Sequence, residues 1–229
     1  MTDPSFSTDL SHLRASGADI AAISQVVLYE RQARDSGWWA QMGATYWPEA
    51  IVNLAWHQGT AADFVARSKE MFDRGVRPLH HMYTPVVHIN GSKAHVEAPA
   101  VTWSRWSIDG TECNLHSHMR LHYRLEERAG QWGIVRFDCV YVYSEVSPVV
   151  PGEKIVIPSV ELASHRASYA LLAWHQTRRG MSVDDDQLGV DRPEQLEEFL
   201  ARTREWLRGD AEKDRAGTRP VNGETGEAR

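Results

Sequence analysis

The stretch from Pro78 to Pro148 constrains the fold more than any other part of the chain. Three turn signals punctuate it, Asn90-Gly91, Asp109-Gly110 and Ala129-Gly130. Asn-Gly and Asp-Gly readily adopt the positive φ that tight hairpin turns demand. The runs LHHMYTPVVHI, KAHVEAPAVTWSRWSI, NLHSHMRLHYRLEER and WGIVRFDCVYVYSEV between and around these turns read as four strands. Strands joined by connections this short form an antiparallel meander.

Helical spacing dominates on either side. Residues 1–18 read as a polar arm. Asp19 can cap a helix that runs to about Asp35, with Ile20, Ile23, Val26, Val27 and Glu30 at helical spacing and Ser36-Gly37 as its stop. Trp38, Trp39, Met42 and Trp47 form a short apolar helix or turn that ends at Pro48, and residues 50–56 read as a short strand. Thr60 to Arg74 is a second helix with Phe64, Val65, Met71 and Phe72 as its stripe and Gly75 as its stop. Beyond Pro148 come a helix over 160–179 and another from Pro193 to Leu207, with Asp191 as a cap. The Asp184–Asp186 run between them lacks the Gly and distal Glu of a calcium loop and reads as a solvated turn. Helices first and a long antiparallel sheet afterwards is an α+β pattern. The organisation is an arm (1–18), an α+β domain (19–150), a helical extension (151–208) and a charged, mobile tail (209–229).

Composition removes several functions. The 229 residues are 42% hydrophobic and 24% charged, with a net charge of −6 and no basic block, so a nucleic-acid partner has no electrostatic footprint. No apolar run reaches the ~18 residues of a membrane span. The start lacks the basic and apolar regions of a secretion signal, which points to the cytoplasm. Cys113 and Cys139 form no CxxC and read as buried thiols. Nine Trp and eleven His are more unusual, and suit a pocket for a flat apolar ligand with titratable groups near it.

Four features in order resemble the nuclear transport factor 2-like superfamily, in its SnoaL-like branch with scytalone dehydratase, ketosteroid isomerase and lindane dehydrochlorinase. They are the AAI-led helix ending in Asp35 with Trp38-Trp39 after it, the WHQG segment, HHMYTPVVHINGSKA opening the sheet, and the ERAGQW hairpin. The similarity covers about residues 15–150. It implies a cone, in which a curved antiparallel sheet wraps around the N-terminal helices and encloses a pocket. It also implies His81 as a base held by Asp35, since a carboxylate on one imidazole nitrogen fixes the tautomer and raises the basicity of the other. The neighbouring His80 is then expected on the opposite face, exposed or packed, because strand side chains alternate. Arg136 matches a cationic pocket position, Trp39, Trp56 and Trp103 are candidate walls, Tyr29 can supply a hydroxyl, and His118 or His116 is a further polar pocket residue. The activity implied is a lyase without cofactor or metal, a homo-oligomer acting on a bulky aromatic or polycyclic small molecule. Its reaction is dehydration, or a carbon–carbon cleavage like that of lignin-derived diarylpropane lyases that release formaldehyde.

Two other readings stay open. Many members of this superfamily bind small molecules without chemistry. A metal enzyme is the other. Gly110, His116, His118 and His122 resemble the first metal motif of cupins, and His116 and His118 share a strand face about 6.6 Å apart. The second cupin motif has no match after Gly152.

Overall fold

A computed structural model describes residues 17–209, so most of the arm and the tail lie outside the described residues. Helix α1 (Gly17–Ser36) and the short α2 (Trp39–Ala44) lead into β1 (Tyr46–Leu54), β2 (His57–Thr60) and α3 (Ala61–Asp73). The sheet continues with β3 (Leu79–Met82), β4 (Val86–Asn90), β5 (Lys93–Ile108), β6 (Thr111–Arg128) and β7 (Gln131–Pro148). Its order is β2-β1-β7-β6-β5-β3, with β4 also on β5. The expected meander is there, antiparallel throughout from β5 to β7. Among the named strands the β1–β7 pair is parallel, and Gly189 adds an isolated parallel bridge to Tyr141. Register shifts at His118/Met119 and Arg124/Leu125 are the irregularities that bend long strands. The α+β fold class expected from the sequence is the one observed.

Several boundaries differ for physical reasons. LHHMYTPVVHI makes two strands rather than one, because the chain breaks pairing at Tyr83–Pro85 and β3 and β4 take successive stretches of β5. Strand β1 begins at Tyr46 and contains Pro48, which falls in the register irregularity between Tyr46 and Ile51 where a missing N–H leaves no ladder bond unmade. Helix α1 starts at Gly17, so Asp19 sits in its first turn and not at the cap, favourably placed against the helix dipole. Thr60 does cap α3, its Oγ1 accepting from Asp63 N–H at 3.1 Å.

The expected helix over 160–179 is broken into α4 (Ser159–Leu162), a 3-10 turn (Ala167–Tyr169) and α5 (Ala170–Arg178). The break lies where Arg166 and Ser168 turn to Asp191, with Arg166 Nε donating at 3.1 Å and Ser168 Oγ at 2.6 Å. Asp191 is thereby committed, and Arg192 occupies the cap of the last helix, α6 (Pro193–Arg208). Residues 184–190 strap the domain. Ala55 O accepts from Asp184 N–H at 2.9 Å, Tyr141 N–H donates to Leu188 O and Val190 N–H to Tyr141 O, both at 3.0 Å. Asp185 and Asp186 are exposed as expected, but Asp184 holds the Gln58 and Gln187 amides.

The core lies between the helices and the concave face, where Ile23, Val27 and Phe64 meet Val96, Leu121, Tyr123, Leu125 and Phe137. On the other face α6 lays Phe199 and Trp206 over His122 and Arg124. Cys113 and Cys139 are buried free thiols. No helix among the described residues is long and apolar enough to cross a membrane.

Candidate active site

Helix α1 positions the first half of the site. Its buried face begins as an apolar stripe, Ile23 and Val27, and continues at the same spacing as Glu30, Arg31 and Arg34. Burying charge is costly unless it is paired. Glu30, fully buried, takes the Arg31 guanidinium on both oxygens and also accepts from Tyr46 Oη at 2.9 Å. Burial works against the Arg31 charge, but the Glu30 carboxylate outweighs it and holds the proton more firmly than usual. Arg34 is different. Burial, followed by repulsion from Arg31, lowers it to about 10. Its Nη1 has no hydrogen bond among the described residues, and Asp35 Oδ1 is 3.8 Å away.

The next residue, Asp35, holds His80. Asp35 Oδ1 is 2.6 Å from His80 Nδ1, and Oδ2 accepts from the His80 main-chain N–H at 2.6 Å. Two bonds from one carboxylate fix both the strand and the ring. The His80 side chain is only 8% exposed. Burial pulls His80 below its ordinary value, against the opposing pull of Asp35, so the ring is neutral at neutral pH. Asp35 is itself lowered, because the bond and charge of His80 outweigh the burial that favours its neutral form. With Nδ1 engaged on Asp35, Nε2 is the ring nitrogen left to the cavity.

That cavity has a volume of about 310 Å³, at the lower end of the ~300–1,000 Å³ of small-molecule sites. Its wall is mostly apolar and aromatic, with Trp56, Met119, Phe137 and Tyr141 among the lining residues. Helix α5 of the C-terminal extension closes it with Leu172, His175 and Gln176. His175 Nδ1 and Gln176 Oε1 are buried there without a hydrogen-bond partner among the described residues. Burial, with some help from Arg179, lowers His175 to about 4, so it is neutral at pH 7.

The residues expected from the sequence separate into two groups. Asp35 is paired, but with His80; His81 is exposed and points away. Alternation along β3 is as expected and its phase is opposite. Leu79 and His81 face one way, His80 and Met82 the other, and one apolar residue on each face leaves the pattern undecided. Trp56 lines the cavity. Trp103 borders it only along the strand, because it stands opposite Leu79 and His116 and its side chain is therefore on the outer face, where Nε1 donates to Asn114 Oδ1 at 3.2 Å. Trp39 does not line it; it packs edge-on against Phe72 with ring centroids 5.5 Å apart. Tyr29 is 39% exposed and lies with Asp35 in a separate outer groove.

Arg136 and His118 are on the convex face, because their neighbours Phe137 and Met119 take the inward positions of β7 and β6. Arg136 is bound to Asp138 at 2.7 and 2.9 Å, and His118 stacks on Tyr143 at 4.1 Å between centroids. His116 and His118 do share a face, beside Glu145 at 4.0 and 3.6 Å. His122 is elsewhere, against His95. Among the described residues no group of three His, Cys, Asp or Glu side chains is placed to hold a metal ion.

Sequence reasoning missed Arg31, Arg34, Tyr141, His175 and Gln176. The signal for the first two was available, since Arg31 and Arg34 lie one and two turns beyond Val27. His175 follows Leu171 by four residues and Leu172 by three, again on the apolar side of its helix.

The SnoaL-like domain profile matches residues 15–138, and the chain belongs to that family. Pea pathogenicity protein 2 of Fusarium vanettenii is 26% identical over 213 residues, which cover 86% of this chain and 91% of that protein. Among solved structures, a protein from Kribbella flavida aligns with a TM-score of 0.51 at 13% identity, over 57% of this chain and 95% of that one. A hexachlorocyclohexane dehydrochlorinase from Novosphingobium barchaimii aligns with a TM-score of 0.46 at 12% identity, over 65% and 100%. The family and fold expected from the sequence are those found.

Proposed function

We propose that this chain is a lyase, working without metal or cofactor, that eliminates water or a related leaving group from an aromatic or polycyclic small molecule. The observation that carries the proposal is the 2.6 Å contact between Asp35 and His80 Nδ1 at the wall of a largely apolar cavity. A neutral imidazole with one nitrogen tied to a carboxylate is a positioned general base. His80 Nε2 takes the proton from substrate carbon. As the imidazolium forms, Asp35 stabilises it and keeps the ring in place. The C–H electron pair becomes the new double bond as the C–O bond breaks, and the imidazolium returns its proton to the departing hydroxyl, which leaves as water. His175, neutral and packed on Trp106, with its Nδ1 lacking a hydrogen bond among the described residues, hydrogen-bonds the departing oxygen. The same base serves a carbon–carbon cleavage that starts by deprotonating a hydroxyl. Arg136 and His118 have no part in this chemistry, because the sheet separates them from the cavity.

The test is turnover of aryl substrates bearing an acidic C–H next to a leaving oxygen. His80→Ala is expected to lower kcat by on the order of 10² to 10⁴, with the protein still folded by circular dichroism. His81→Ala should leave kcat unchanged. Equal losses from the two variants, or near wild-type turnover by folded His80→Ala, would remove His80 from the mechanism.

A further inference from the structure

The lining of the same cavity is strongly one-signed. Among the described residues five arginines border it, Arg31, Arg34, Arg77, Arg105 and Arg179, and no Asp or Glu does. Arg31 is neutralised by Glu30 behind it. Arg77, Arg105 and Arg179 are exposed and so mark the mouth. Arg77 and Arg105 spend hydrogen bonds on neutral oxygens, the Phe72 carbonyl at 3.5 Å and Asn114 Oδ1 at 3.4 Å. Arg34 lies deeper. It is 2% exposed, and its Nη1 is buried without a hydrogen bond among the described residues. Asp35 Oδ1 is 3.8 Å from it and already binds His80 at 2.6 Å, and the Glu30 carboxylate, which also attracts Arg34, is taken by Arg31.

A buried guanidinium with an open N–H is expensive to maintain for packing alone. An anionic ligand oxygen would satisfy it in a charge-assisted hydrogen bond of the strong kind. The arginines at the mouth would raise the local concentration of an anion and speed its entry. Between mouth and floor the indole of Trp56 and the side chains of Met119 and Leu172 offer apolar surface for rings.

We infer that the cavity selects a one- or two-ring aromatic carrying a single anionic oxygen group, with a carboxylate seated on Arg34 and the rings against Trp56. This deepens the lyase reading by naming its ligand class. It depends on that reading for the choice of cavity and not for its chemistry. A neutral aromatic would leave the Arg34 Nη1 without a hydrogen bond in the complex, and a cation would be repelled by Arg34 and by the arginines at the mouth.

Binding decides this without turnover. The probes are 2-naphthoate, benzoate and the uncharged 2-naphthylmethanol, read by quenching of tryptophan fluorescence and by calorimetry. The wild type is expected to bind 2-naphthoate at least about tenfold more tightly than the alcohol, a difference of about 1.4 kcal/mol. Arg34→Met, of similar length, should abolish that preference, while Arg34→Lys retains part of it. His80→Ala should keep it. Equal affinity for acid and alcohol, a preference untouched by Arg34→Met, or no binding by any probe at millimolar concentration would overturn the inference. A preserved preference together with unimpaired turnover by His80→Ala would sink the lyase reading and leave this one standing; the converse pattern would do the opposite.

Discussion

Acid should loosen this protein through histidines on both sides of the sheet. On the convex side His122 is 3% exposed, lies 3.0 Å from His95 by Nδ1 to Nε2, and is covered by Phe199 of α6. Burial is the main reason it is lowered to about 4; Arg120 and Arg124 add to this, and Glu97 and Asp138 oppose it. The native state therefore binds fewer protons than the unfolded chain between about pH 6.5 and pH 4. Stability is lost as pH falls through that window, and the loss levels off below it. For one such group the decrement from pH 7 to pH 5 is about 2 kcal/mol. His175, also near 4, adds a similar amount. Together they remove about 4 kcal/mol, a large share of the ~5–15 kcal/mol that holds a domain folded. For a chain of this size that is a fall in Tm of roughly 8–16 °C. Urea unfolding at pH 7, 6 and 5 measures it. His122→Asn keeps a hydrogen-bonding group beside His95 and removes the His122 titration, so its decrement should be smaller than that of the wild type by about 2 kcal/mol, the rest staying with His175 and the other buried histidines, His95 and His80 among them. Parallel stability–pH curves for the two proteins would refute the assignment of the loss to His122.

Two stability predictions test the strap and the corrected strand phase. Gly189 has no room for a side chain, since a Cβ there would press on Ser168 Oγ and stand 2.5 Å from Asp191 Oδ1. Gly189→Ala should cost about 1–3 kcal/mol by urea denaturation, and an unchanged midpoint would show that the strap yields freely. His81→Ala should shift stability by no more than about 0.5 kcal/mol, as exposed positions do; a loss of several kcal/mol would mean that His81 is packed.

The turn pairs Asn90-Gly91 and Asp109-Gly110 and the alternating runs between them were enough to read the meander and the α+β class. The SnoaL-like relationship was legible in the order of its short motifs. The site was legible in part. Asp35 does hold a histidine and Trp56 does border the cavity, but the histidine is His80 and not His81, and Trp103 turns its side chain to the outer face. A period of two says that neighbours oppose each other, but only the core can say which one faces in, and Leu79 and Met82 weigh equally on the two faces. Arg136 was misplaced by a similar ambiguity. Its outward phase is set by Phe137 stacking on Tyr123, with ring centroids 4.4 Å apart, over the Arg31 guanidinium. His175 could not be tied to a pocket from sequence at all, because α5 reaches the cavity through long-range contacts. The break at Arg166 and the pairing of Ser168 with Asp191 aim that helix, and neither has a local signature.

The central claim is that His80 is a neutral imidazole protonated on Nδ1 by its bond to Asp35, with Nε2 free as the base. Nitrogen-15 spectra of the histidine side chains read this directly, without knowledge of the substrate, with the His80 signals identified by their loss in His80→Gln. At pH 7 the account predicts a protonated Nδ1 and an unprotonated Nε2 for His80, and loss of that fixed tautomer in Asp35→Asn. A His80 that is doubly protonated at pH 7, protonated on Nε2 instead, or indifferent to Asp35→Asn would contradict it.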